Sequence, residues 1–423
     1  MPSRRSWSIA AAVVGLLVAS ACGGGGGGGG GAGSASSTIE FATQGLGSEG
    51  DASRAAVAAF EKTNPNVHVN ILTLPASADE AYSQLTQRFE ANSATPDVIT
   101  SDVIWPAAFA RSGWIKPLDS YDVNKSNFFP AQIQAATYGG KLYAVPWFIN
   151  AQGVYYRTDL VQLPPGSPQQ LVQDAQRAMQ QDSGLKMGLA FTGDKYEGVV
   201  TSFMNFAAGF GGTLDLKQVA SNQNVEALTY MKNLIYQDKI TPEAATSWRE
   251  PDVEKAYLSG QTPFAMNWPY VFAEAQAAPG GTPNNPAVYN RTGWIPFPST
   301  SSPRSTLGGY VLAINAKSQH AAAAYRFIQY LQSDQAQIAR AIAAGDPPAV
   351  RSAYTEKLFS QAPYFRDQKA VFDVVQSRPV TPVWPQISSA LKTQINAALT
   401  NQVDPTTALT QAQQQIDQIP GSH

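Results

Sequence analysis

Two series of short apolar runs alternating with helical patterns constrain this chain more than any other feature, and one stretch, residues 138–157, separates them. In the first series residues 38–43, 67–74 and 96–100 read as strands, and 52–62, 78–92 and 105–111 as helices. Ala55, Ala58, Ala59 and Phe60 recur at helical spacing, and Asn64-Pro65 ends that helix. Strands alternating with helices in this way predict βαβ units and a mainly parallel sheet. Ligands on such sheets lie at the carboxyl ends of the strands. At those ends stand the loop 44–50, with Gln44 and Glu49, and Asp102.

The separating stretch, YGGKLYAVPWFINAQGVYYR, holds two glycines, a short apolar run, Pro146 and a strand-like run ending in Tyr155 and Tyr156. It reads as a crossover that leaves one lobe, crosses a cleft and starts another. Asn150 is placed to face a ligand, Trp147 reads equally as hinge packing or cleft wall, and the paired tyrosines read as packing in the second lobe.

Beyond it the alternation resumes. Helices are predicted over 167–181, 196–208, 222–236 and 251–258, and strands over 187–191, 261–267, 292–297 and 306–315. The second of these strands ends in Trp268-Pro269-Tyr270, and the last opens on Gly308-Gly309-Tyr310. Helices over 321–332 and 335–344 come next, Gly345-Asp346-Pro347-Pro348 breaks the chain, and the tail is helical over 368–377, 386–400 and 406–419. At 423 residues the chain exceeds one small core, which suits a two-lobed unit. Charged residues are 14% and the net charge is −2, which argues against a disordered chain and against nucleic acid or anionic lipid as a partner.

The N-terminus reads as an export signal over residues 1–21: Arg4 and Arg5, an apolar run too short to span a bilayer, then Ala19-Ser20-Ala21-Cys22. In that reading Cys22, the sole cysteine, is a lipid anchor; the alternative is an ordinary cleaved signal with an incidental Cys. Nine glycines and AGSASS complete a tether over 22–37, whose reach is about 20 Å. The expected product is exported and held by its lipid on the outer face of the cytoplasmic membrane.

Several chemistries find little support. Gly45-Leu46-Gly47-Ser48-Glu49-Gly50 matches GxGxxG, yet the strand 67–74 ends without the acidic residue a dinucleotide ribose needs. His68, His320 and His423 are isolated, so neither a metal site nor a Ser-His-Asp triad has candidates, and no cofactor is called for. A glycosidase using two of Asp102, Glu197 and Glu250 stays open, since spacing along the chain does not exclude a carboxylate pair. What remains is a set of polar and aromatic groups at strand ends: Asp102, Trp105, Trp147, Asn150, Tyr196, Glu197, Glu250, Trp268, Tyr270, Gly309, Tyr310 and Arg378. Carboxylates, amides and Arg suit sugar hydroxyls, and indole or phenol faces suit a pyranose ring. Trp105 reads equally as core, and Arg378 has solvated surface as its alternative.

Seven blocks carry a resemblance. The lipobox, PDVITSDVIWPAAFARSGWIKPLD, GGKLYAVPWFINAQGVYYRTDL, KYEGVVTSFMNFAAGFGG, AMNWPYVF, TLGGYVLAIN and SRPVTPVWPQIS run in the order seen in the sugar-binding lipoproteins of ABC importers, and the chain resembles their trehalose/maltose type. The resemblance implies disaccharide contacts at Asp102, Asn150, Glu250, Trp268, Gly309 with Tyr310, and Arg378, and further ones at Glu49 and Glu80. Some maltose/trehalose receptors carry Asp where Asn150 stands; the amide matches the more trehalose-specific ones.

It also implies an α/β, two-lobed periplasmic-binding-protein-like fold with an interlobe cleft, lobe 1 being 38–145 plus 304–346 and lobe 2 being 146–303 plus 347–423. Crossings are expected near 143–150, 298–307 and 345–350. Hinge closure around the sugar, docking on the permease subunits of an ABC importer, a monomeric state and no enzymatic activity are the accompanying expectations. The rivals are a glycoside hydrolase using Asp102 and Glu250, and a binding protein for a glycerophosphodiester or an oligosaccharide.

Overall fold

The computed structural model describes residues 36–44, 47–277, 281–299 and 304–423. The signal 1–21, Cys22, the tether up to residue 35, Gly45 and Leu46 of the glycine-rich stretch, and residues 300–303 of one expected crossing lie outside the described residues.

The strands are β1 Ser37–Gln44, β2 Val67–Leu74, β3 Val98–Asp102, β4 Thr137–Tyr138, β5 Lys141–Leu142, β6 Val145–Ala151, β7 Gly153–Arg157, β8 Leu189–Ala190, β9 Phe264–Asn267, β10 Thr292–Ile295 and β11 Leu307–Ile314. They form a five-stranded sheet in the order β2-β1-β3-β11-β6, a four-stranded sheet in the order β10-β7-β9-β8, and the small hairpin β4-β5. Each of the two larger sheets, with its helices, makes one lobe of a mixed α/β fold.

In the first sheet β1 pairs in parallel with β2 and β3, as βαβ units require. β11 then enters antiparallel between β3 and β6. The sheet is therefore mixed rather than simply parallel, because β11 arrives from the other lobe and not from a helical crossover on this one. Ile39, Phe41, Val98, Ile99, Val311 and Leu312 bury its faces against the flanking helices. The register gathers several polar and aromatic groups at one end of this sheet. Tyr310 stands opposite Asp102, Gly308 opposite Asn150 and Gly309 opposite Ile149. Gly309 has φ +98°, and a Cβ there would collide with the Phe148 carbonyl oxygen, so no other residue fits this close approach.

The crossover differs from its expected limits. β6 runs to Ala151 within the first sheet, and the chain passes to the second sheet at the buried Gln152. Residues 146–151 therefore belong with the first sheet, not with lobe 2. The physical reason is the apolar run around Pro146: all of β6 is buried, and β11 is its ladder partner. Residues of the returning segment also bridge back to the first lobe, Pro348 to Phe148 and Val350 to Phe128. Only then do the helices Trp384–Leu399 and Pro405–Asp417 pack on Glu197–Gly209 and Asn222–Tyr236 of the second lobe. The expected loop 44–50 is shorter as well, since a helix, Gly47–Thr63, begins inside it with Glu49 in its first turn, where an acidic side chain complements the helix dipole.

Candidate functional site

A cavity of ≈ 540 Å³ opens at the carboxyl end of the first sheet and is lined by both lobes. Glu49, Asp102, Asn150, Glu250, Trp268, Gly309, Tyr310 and Arg378 all line it. Its size falls within the usual range for small-molecule sites. Glu80 does not line it: it is exposed on the helix Ala78–Glu90, and Ala76, Ser77 and Ala78 form that rim instead. Trp105 and Trp147 are core residues. Trp105 packs with Tyr82 and Phe109, and Trp147 meets Phe41 edge-on at 5.6 Å. Tyr155 is likewise buried, and its hydroxyl donates to the Trp268 carbonyl at 2.8 Å, which anchors that corner.

One guanidinium joins the two walls, with Asp102 at the end of β3 on one side and Glu197 at the start of a second-lobe helix on the other. Arg378 Nη1 lies 2.8 Å from Glu197 Oε1, and Arg378 Nη2 lies 3.3 Å from Asp102 Oδ1. Asp102 Oδ1 also accepts from the Ile104 backbone N–H at 3.2 Å, and Glu197 accepts from Trp384 Nε1 and Ser388 Oγ. A buried carboxyl, Glu197, and a largely buried one, Asp102, thus share one cation. Burial pushes both Asp102 and Glu197 above the ordinary carboxylate range, and Arg378 offsets only part of that. Asn150 is 7% exposed, and its Oδ1 has no hydrogen-bond partner among the described residues. A buried acceptor left in that state carries a desolvation cost of about 1–3 kcal/mol until a donor reaches it.

The second-lobe wall centres on Trp268. Asn267 holds the corner: its Nδ2 donates to the Glu250 carbonyl at 3.0 Å, and its Oδ1 accepts from the Trp268 N–H at 2.8 Å. Trp268 Nε1 donates to Glu250 Oε1 at 3.4 Å, and Tyr196 Oη donates to Glu250 Oε2. Tyr270 Oη donates to Glu254 Oε2 at 3.0 Å, and burial pushes Glu254 upward. Glu254 and Glu274 each stand four residues beyond a group already singled out, Glu250 and Tyr270, so helical spacing alone could have added them. Glu197 stands among the sequence candidates, but the resemblance does not carry it as a sugar contact.

The whole lining sets Glu49, Asp102, Glu197, Glu250, Asp252, Glu254 and Glu274 against Arg249 and Arg378. An indole face surrounded by acceptors suits a neutral, hydroxyl-rich solute and disfavours an anion. A second, shallower apolar groove of ≈ 740 Å³, lined by residues such as Phe128, Pro130, Ile133 and Val380, contains none of these groups. Among the described residues no group of three or more His, Cys, Asp or Glu could hold a metal ion.

The chain is similar to known proteins over most of its length. The profile of the bacterial extracellular solute-binding protein family matches residues 45–338. A probable ABC transporter-binding protein of Deinococcus radiodurans is 29% identical over 432 residues, covering 97% of this chain and 98% of its own. Among solved structures, maltose-bound MalE3 of T. maritima superposes with a TM-score of 0.83 at 30% identity, covering 89% of this chain and 98% of that one. The GacH receptor of Streptomyces glaucescens, solved unliganded and with acarbose, gives 0.78 at 25% identity, covering 90% and 97%.

Proposed function

The chain belongs to the bacterial extracellular solute-binding protein family, and on that footing we propose that it is the sugar receptor of an ABC importer, taking an α-linked glucose disaccharide, trehalose or maltose. Its homologues are ABC solute-binding proteins and not enzymes, so the rival reading of a hydrolase using Asp102 and Glu250 falls away. The observation that carries the sugar reading is Trp268, which lines the cavity beside Glu250 and together with Asp102, Asn150 and Arg378. An indole face covers the C–H face of a pyranose, while carboxylates and the free Asn150 oxygen take its hydroxyl protons. The similar MalE3 holds maltose and GacH holds acarbose, which support the same class of solute here. The excess of carboxylates over arginines disfavours a glycerophosphodiester.

The mechanism is differential binding. A solute touching both walls stabilises the closed arrangement of the lobes more than the open one, and so shifts the population toward it. Motion is absorbed at the connections between the sheets, Gln152 and the segment after Gly345. The closed, monomeric form docks on the permease. Cys22 carries the lipid that keeps the receptor at the outer face of the cytoplasmic membrane; Cys22→Ser is expected to release it into the medium. Calorimetry with trehalose, maltose, sucrose and glucose tests the solute: binding of a disaccharide supports the reading, and silence from all four rejects it.

A further inference from the structure

An ion pair outside the cavity joins the two lobes: Lys392 Nζ donates to Asp79 Oδ2 at 2.6 Å. Neither residue lines the cavity, although Ser77 and Ala78, just before Asp79, form its rim. Asp79 belongs to the first lobe. It stands in the first turn of the helix Ala78–Glu90, which Ser77 caps and which buries Ala81, Leu85 and Phe89. Lys392 belongs to the second lobe, on the helix Trp384–Leu399. One turn before it Ser388 Oγ donates to Glu197, and one turn after it Asn396 Nδ2 donates to the Gly193 and Thr246 carbonyls at 2.8 and 2.9 Å. Each charge is thus carried by a helix anchored in its own lobe.

The sheet order gives the pair its leverage. The chain passes between the lobes next to Ala151, at the end of β6, and next to Leu307, at the start of β11, and these two residues are ladder partners. Asp79 follows β2, which lies at the opposite edge in the order β2-β1-β3-β11-β6. All of these chain ends share one end of the sheet, because β1, β2 and β3 run parallel and β11 runs against β3, with Tyr310 opposite Asp102. Three to four strand spacings of about 4.8 Å put the β2 edge roughly 14–19 Å from the crossings. An opening rotation of about 10° around those crossings moves that edge by roughly 3 Å. A hydrogen bond does not survive such a displacement. Arg378 also spans the walls, but inside the cavity and on the hinge side, where its Nη2 lies 3.4 Å from the Leu307 carbonyl oxygen.

We propose that Asp79 and Lys392 form a latch that exists only in the closed arrangement, and so set the residence time of a solute they never touch. The latch acts by differential stabilisation of the closed state, as the solute itself does. Asp79 keeps 42% of its side chain exposed and Lys392 19%, so the attraction is modest and is screened by salt. Two consequences are distinctive. A solute without charge leaves faster as ionic strength rises. Association, which begins from the open form, is almost insensitive to the pair.

The proposal rests on the cavity being the sugar site, so its test has two arms. In the first, dissociation of maltose and trehalose from the full chain is followed by stopped-flow fluorescence at low salt. Lys392→Met, which keeps the apolar stem, and Asp79→Asn should each raise the dissociation rate by about two- to fivefold. The double variant should match the single ones rather than multiply them. Near 1 M NaCl, where the Debye length is about 3 Å, wild type should converge on the variants. Wild-type rates in Lys392→Met, multiplied effects in the double variant, or an unchanged gap at high salt overturns the proposal. In the second arm, sugar-free protein carries spin labels attached through Gln87→Cys and Gln386→Cys, at exposed positions of the two helices. Lys392→Met should lower the shorter-distance fraction by about two- to fivefold, and identical distance distributions overturn the latch. Failure of wild type to bind either sugar rejects the sugar reading, while the spin-label arm still decides the latch.

Discussion

The indole of Trp268, from the second lobe, lies directly on Gly308 of β11 in the first: a Cβ at position 308 would sit 2.6 Å from Trp268 Cζ3. The glycine makes room for the ring at the point where the two walls of the cavity meet. Gly308→Ala should push the indole out of place and lower disaccharide affinity by about tenfold, or 1.4 kcal/mol. Trp268→Ala should cost more, up to a few kcal/mol, as for a buried aromatic anchor. Calorimetric affinities that match wild type in both variants would remove the indole from the site.

Removing Arg378 strands Asp102 and Glu197 as buried carboxyls without a counter-charge. Breaking such an arrangement costs about 3–5 kcal/mol. Arg378→Ala should therefore shift the urea midpoint strongly downward in the absence of sugar. Arg378→Lys should restore only part of the loss, because an ammonium does not reproduce the two-pronged geometry. A midpoint unchanged in the alanine variant would show that the pair tolerates its own charge.

Asn150 behaves oppositely. Its Oδ1 has no internal partner to lose, so Asn150→Ala should leave the melting temperature of the free protein close to wild type. Disaccharide affinity should fall by about tenfold, the worth of one hydrogen bond in a dry site. Loss of stability without loss of affinity would assign the amide to packing.

The acids of the cavity also set the sign of a pH dependence. Burial raises Glu49, Asp102, Glu197, Glu254 and Asp346, so the folded protein keeps protons that the unfolded chain gives up at about pH 4. Their contribution is fully present below that value and is lost as pH rises through the raised folded values. Asp159 works the other way: burial would raise it, but Arg157 grips both its oxygens and holds it below the ordinary range, so its contribution is lost as the medium turns strongly acid. Denaturant titrations should therefore show ligand-free stability declining from mild acid toward neutral pH. A rising profile across that window would contradict the burial of these carboxyls.

Local pattern made much of this legible. Periodicity located the longer helices but missed the short ones Pro130–Ala135, Tyr270–Gln276 and Glu356–Phe359, and Trp268-Pro269 announced a corner because a proline after a strand-end aromatic leaves few alternatives. Other features depend on distant partners. Glu197 matters through Trp384 and Ser388, 187 and 191 residues away, and no local pattern carries that information. Asp346 sits in Gly345-Asp346-Pro347-Pro348, which has the look of a solvated turn, and only the packing of Arg340 buries it. Pro146, named only as part of the crossover stretch, lies inside a fully buried strand, at the irregular step where β11 shifts register between Tyr310 and Val311.

The placement of β11 has a further consequence for how the molecule is made. β3 and β6 are complete by residue 151, but the strand that joins them ends at Ile314. A chain emerging from the ribosome must expose two unsatisfied ladder edges until almost the whole second lobe has been synthesised. Closing so long a loop is slow. Any fragment cut before residue 307 lacks the strand between β3 and β6 and is prone to pair those open edges with other chains.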